Sequence, residues 1–280
     1  MPHPEDEHSE WTRRRVTLNH RPYPPTNPLV PQAINATYTV MSEDFKNSNE
    51  IETWLKTQPR DVICVFAARA ALRVVPVLEE LLGLQDLKRS PDFIILQSFY
   101  ALTTSVSVGR WSDMDMRYAA AHAADAADDA ATDAAVDAAA FSARAAVAAF
   151  SAADTVAIAA TLAGTNIYRA YSVDRDFIEA GGNAQALSEI PLWPYSEMPE
   201  VLHTKWQALK SYLLNLNQDW DVWTDWYEDR LAGKPLIKSI EIGDPENGHY
   251  RRATFPPKAY ENPAEVNAKI KTVIEDYWAG

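Results

Sequence analysis

The chain has 280 residues, 47% of them apolar, enough for one large helical domain or two small ones with a real core. Its 26 basic and 39 acidic residues leave a net charge of -13, which argues against nucleic acid as a partner, because a phosphate backbone is gripped by clustered Lys and Arg. The one cysteine, Cys64, has no mate for a disulfide or a thiolate metal site. Together with an acidic N-terminus that lacks the basic start and apolar core of a signal peptide, it predicts a reducing, cytoplasmic setting.

Residues 1–32 are rich in Pro, charge and His and predict a Pro-rich flexible arm, since proline removes a backbone donor and fixes φ. The arm's basic run, Arg13-Arg14-Arg15 with Arg21 nearby, is short and reads as a solvated stretch, with a nucleic-acid or anionic-lipid contact as the alternative. The alternation of Ile34, Ala36, Tyr38 and Val40 allows one short strand, and a short helix follows around Asn49 to Lys56. A longer helix is predicted from about Asp61 to Leu82, bent at Pro76 and stopped by Gly83. Ser90-Pro91 reads as N-cap and first residue of a strongly apolar helix to about Val108.

From Ala119 to Ala163 more than half of the residues are alanine, and neither Gly nor Pro interrupts them. Alanine has the highest helix propensity, so the stretch predicts long helices. Asp125, Asp129, Asp133 and Asp137 recur every four residues and share one side with His122 and Arg144, leaving an alanine face opposite. Ser151-Ala152-Ala153-Asp154 resembles a capping box, which places a break near Phe150 and a second helix to about Tyr171. The segment from Ala145 to Tyr168 is long enough to cross a bilayer, but alanine is only marginally apolar and Asp154, Ser151, Thr155, Thr161 and Asn166 weaken it further. Stable membrane insertion is therefore not expected.

Gly181-Gly182 and the prolines from Pro191 to Pro199 predict a crossing loop, followed by helices over about 199–216 and 219–231. Leu236 to Ile242 alternates well enough for a short strand. In the last helix Asn262 caps, Pro263 is first, Glu265 closes the box, and Val266, Ile270, Val273, Ile274 and Tyr277 share a face. The expected fold is mainly α, a multi-helix bundle with long alanine-rich helices and at most one or two short strands. It divides into the arm (1–32), a helical core (33–180) and a Trp/Tyr-rich helical region (181–280) packed on that core.

No phosphate loop, HExxH, zinc-spaced Cys or His pair or GxSxG occurs, and the sequence implies no cofactor, no metal and no catalytic residue. Two constellations remain. Arg69 and Arg73 lie one turn apart on the face that carries Val62, Val65, Phe66 and Leu72, and buried guanidinium groups need anions. Those anions are either carboxylates of the same chain or an anionic ligand such as a phosphate or nucleotide. The second constellation is Trp220 to Leu231, where Trp223, Trp226, Tyr227 and Leu231 fill one half of a helix and Asp221, Asp225, Glu228 and Asp229 the other. Arg230 falls on the aromatic half, where it stacks on an indole or reaches a buried acid. The helix reads as a core anchor; the alternatives are an aromatic binding pocket or partner surface, and a metal site on its acids, for which no loop geometry speaks.

Trp220-Asp221-Val222-Trp223 with Trp226-Tyr227-Glu228-Asp229-Arg230-Leu231-Ala232-Gly233, followed by Pro263-Ala264-Glu265-Val266-Asn267-Ala268, resembles a C-terminal signature, WxxWxxWYEDRLAG, of an alanine-rich family of alphaproteobacterial, rhizobial-type proteins. Arg69 to Pro76 and the alanine-rich middle are similar to preceding parts of such proteins, so the likeness runs over roughly residues 54–278. The resemblance implies membership and supplies no activity. The residues themselves predict a cytoplasmic, non-enzymatic interaction or regulatory module with a protein as its partner. The alternatives are a binder of, or enzyme acting on, a small anionic ligand at Arg69 and Arg73, and a membrane-acting effector built on the alanine-rich helix.

If neighbouring helices approach the alanine face as closely as alanine permits, Ala135→Leu or Ala138→Leu costs about 1 to 3 kcal/mol through overpacking. Asp129→Ala or Asp133→Ala costs far less. Urea unfolding of the four variants checks this, and full tolerance of the leucines would mean that the face is exposed.

Overall fold

The computed structural model describes residues 43–84, 87, 89–110, 166–194, 197–241 and 262–279. The N-terminal arm, the strand expected over 34–40, and the alanine-rich stretch with its aspartate repeat and its break near Phe150 lie outside the described residues. The protein is mainly α-helical, and the described residues contain no strand. All of them belong to one unit, residues 42–280.

Helix α1 (Ser48–Leu55) opens on Asn47, whose side chain accepts the Glu50 N–H at 3.1 Å and so satisfies one of the donors that every helix start leaves over. Helix α2 (Arg60–Val74) is buried nearly all round, from Val62 to Val74, which is the pattern of a central helix rather than a surface one. Ala67, Ala68, Ala70 and Ala71 supply its small surfaces. At Pro76 the chain changes its winding: Val75–Gly83 is a 3-10 helix. Pro76 offers no N–H to an α ladder, and the tighter winding carries the apolar residues Val77, Leu78 and Leu81 into the core.

Helix α3 (Pro91–Arg110) starts at the expected proline, and the Ser90 carbonyl accepts from Phe93 at 3.1 Å and Ile94 at 3.3 Å. It packs against α2. Four of its buried hydroxyls turn back on their own helix: Ser98, Thr103, Thr104 and Ser105 each donate to the carbonyl four residues earlier, at 2.9 to 3.0 Å. These four hydroxyls are thus buried at little desolvation cost.

Helix α4 (Asn166–Glu179) runs two turns beyond the expected end at Tyr171 and stops where Gly181 takes a φ of 93°. After a single helical turn, Ala184–Leu187, the chain crosses the core as an irregular strap through Trp193. Helix α5 (Glu200–Asn215) packs on the 3-10 segment, and Lys205 bonds Glu80 at 2.5 Å. Asn217 and Asp219 then adopt φ of 53° and 54°, values that Asn and Asp tolerate better than other side chains, and turn the chain into α6 (Asp221–Leu231).

The short strand expected over Leu236 to Ile242 is instead a single helical turn, Lys238–Glu241. Leu236 and Ile240, four residues apart, are both buried, and the amides of Ile240 and Glu241 both bond the Ile237 carbonyl at 2.9 Å. The alternation was too short to distinguish a strand from one turn of helix. The last helix, α7 (Pro263–Ala279), starts as expected: Asn262 accepts from Ala264 at 3.1 Å and also bonds Glu265 at 3.2 Å. Val266 and Ile270 are buried and Ile274 packs partly against them, whereas Tyr277 emerges at 40% exposure because α7 outruns the core.

Two glycines separate conformational strain from crowding. Gly181 has a φ of 93° in open space, whereas Gly233 has a φ of 68° and a Cβ there would stand 2.4 Å from the Pro191 nitrogen. Thermal unfolding should show Gly181→Ala costing about 1 kcal/mol and Gly233→Ala about 2 kcal/mol or more. Equal costs would mean that the strap does not press on the Gly233 turn.

Candidate functional site

Arg69 and Arg73 are carried side by side on α2 and are 3% and 0% exposed. Burying two guanidinium groups is tolerable only where anions and acceptors replace water. The anion is Asp174, on α4, itself 0% exposed and more than a hundred residues away along the chain. Arg69 donates from Nε to Oδ2 at 3.0 Å and from Nη2 to Oδ1 at 2.9 Å. Arg73 donates from Nη1 to Oδ2 at 2.8 Å and from Nη2 to Oδ1 at 3.0 Å. Each carboxylate oxygen therefore accepts from both arginines, two bidentate forks on one acid.

The remaining donors are taken by backbone. Arg69 Nη1 bonds the carbonyls of Leu187 at 3.0 Å and Ile190 at 2.8 Å, and Nη2 bonds that of Pro191 at 2.9 Å. A guanidinium has five N–H groups, and in Arg69 all five are engaged. Arg73 Nε bonds the Leu192 carbonyl at 2.9 Å, and its guanidinium lies between the rings of Tyr171 and Trp193, 5.3 and 5.8 Å from their centroids. The two arginines thus hold the strap from Leu187 to Leu192 by its carbonyls. The strap is fixed from its other side as well, since the Leu192 amide donates to the Leu231 carbonyl at 3.2 Å and Pro191 abuts Gly233.

The electrostatics follow from two cations sharing one anion. Burial alone would push the Asp174 carboxyl up, but the charges and hydrogen bonds of Arg69 and Arg73 outweigh it and hold the group below the usual carboxylate range. The stabilisation this represents is present above the unfolded pKa of an aspartate and is lost as pH falls through the lower folded value. Burial lowers the pKa of Arg69, opposed by Asp174 and reinforced by the like charge of Arg73. Burial likewise raises the Tyr171 and Tyr227 phenols, so both remain neutral.

The aromatic constellation is carried by α6. Trp223, Trp226, Tyr227 and Arg230 are all buried on α6. Trp223 stacks on Phe99 of α3, with centroids 5.7 Å apart and ring planes at 27°, while Trp226 meets Phe99 edge-on at 6.4 Å. The Trp223 indole N–H donates to Asn267 of α7 at 2.7 Å, and the Asn267 amide donates to the Gln218 carbonyl at 2.8 Å. One buried asparagine thereby joins α6, α7 and the turn between α5 and α6. Tyr227 packs on Trp206 with centroids 4.4 Å apart, and its hydroxyl donates to the Leu72 carbonyl at 3.1 Å. Arg230 lies 6.0 Å from the Trp226 ring centroid, the indole contact its position on the aromatic half suggests.

Arg69 and Arg230 both line a cavity of about 10 Å³, with Val65, Leu72, Val106 and Leu192 among the other lining residues. That volume is about enough for one water molecule. Trp223, Trp226 and Tyr227 do not line it; they meet Phe99, Asn267 and Trp206 instead. Among the described residues no helix is long and apolar enough to cross a membrane.

The residue that sequence reasoning missed is Asp174. Its signal was local: Ile167, Ala170, Tyr171 and Asp174 follow helical spacing, and all four are buried. An acid at the end of such a stripe must meet a cation. Compared with protein-family models, with curated proteins and with solved structures, the chain matches none.

Asp225, on the acidic side of α6, is shifted in the opposite sense to Asp174. The Asp225 side chain is exposed by area, yet loss of hydration at its carboxylate, followed by the Asp221 charge, pushes its pKa up to about 6, with Lys210 opposing and Glu228 and Asp229 adding. A raised folded pKa penalises the ionised form, so its cost to stability grows as pH rises from about 4 to 6 and persists above. Asp225→Asn should therefore raise the Tm at pH 7.5, with a gain that fades as the melts are repeated down to pH 4. A gain independent of pH would show that the crowding is not electrostatic.

Proposed function

We propose that the protein is a cytoplasmic, non-enzymatic interaction or regulatory module whose partner is another protein. The observation that supports this reading is the engagement of the arginine pair. The arginine pair, suited by its chemistry to gripping an anionic ligand, holds the chain's own carboxylate and the carbonyls of its own strap. The space beside it is the size of one water, far below what a phosphate or nucleotide fills. The aromatic side chains of α6 are likewise turned to α3, α5 and α7, so Trp223, Trp226 and Tyr227 serve as anchors of the core. A net charge of -13 favours a partner other than nucleic acid.

Two measurements on the full-length protein test the proposal. In a thermal-shift series with phosphate, nucleotides and citrate in large excess, the Tm should stay within about 1 °C of the ligand-free value, as expected when nothing binds the folded state preferentially. In native extract the protein should elute in a complex that can be rebuilt from the purified chain and the purified partner. Strong stabilisation by one anion, lost in an Arg73→Met variant that is itself stable, would overturn the proposal in favour of a ligand site. Elution as a free chain from native extract would also count against it.

A further inference from the structure

We draw no further inference here: the strongest candidate, the water-sized cavity between Arg69 on α2 and Arg230 on α6, belongs to the site already described, because every N–H group of Arg69 is engaged by Asp174 and the strap carbonyls.

Discussion

Two guanidinium groups share one carboxylate in the buried interior of this protein, and much of the described structure is arranged around that contact. Taking an ion out of water costs several kcal/mol after relaxation, and mutual attraction offsets it only when geometry is good and every remaining donor finds an acceptor. Arg69, Arg73 and Asp174 therefore cannot be buried separately. Helix α2, helix α4 and the strap from Leu187 to Leu192 must come together for any one of the three charges to be accommodated. A purely apolar contact between α2 and α4 would tolerate sliding by part of a turn. Four charge-assisted hydrogen bonds to two oxygen atoms restrict it.

The aromatic layer is coupled to the same contact through backbone groups. Tyr227 donates to the carbonyl of Leu72, the residue beside Arg73, and the strap that Arg69 holds returns a hydrogen bond to the end of α6 at Leu231. The position of α6 is thus referred to α2 twice, by a side chain near its middle and by the strap at its end. Asn267 extends the linkage to α7 by bonding the Trp223 indole and the turn ahead of α6. Such buried polar contacts add little net stability when complete, roughly 1 kcal/mol each. They are costly to break, because the abandoned partner remains buried. Their effect is to specify one arrangement among many that the apolar side chains alone would permit.

Features decided within a few residues were legible in the sequence. Asn262-Pro263 and Ser90-Pro91 marked helix starts correctly because capping and proline chemistry act locally. The apolar stripe around Arg69 and Arg73 showed that the pair would be buried and would need anions, but not which ones. Asp174 follows more than a hundred residues later, and the other acceptors are carbonyls, which every residue possesses and no sequence distinguishes. The alternation from Leu236 to Ile242 misled because two apolar residues four apart suit one helical turn as well as a strand. Pro76 marks a disturbance of the α ladder, and there the winding tightens into a 3-10 helix.

The shared carboxylate is tested most directly by a double-mutant cycle between Arg73→Met and Asp174→Asn, read by urea unfolding at pH 7. Asp174→Asn strands two buried cations and should cost about 3 to 5 kcal/mol, whereas Arg73→Met leaves Asp174 paired with Arg69 and should cost less, though still clearly more than a surface substitution. The double variant should lose clearly less than the sum, with a coupling energy of about 1.5 kcal/mol or more. Additivity within about 0.5 kcal/mol, or single variants as stable as the wild type, would contradict a fold organised around these three charges.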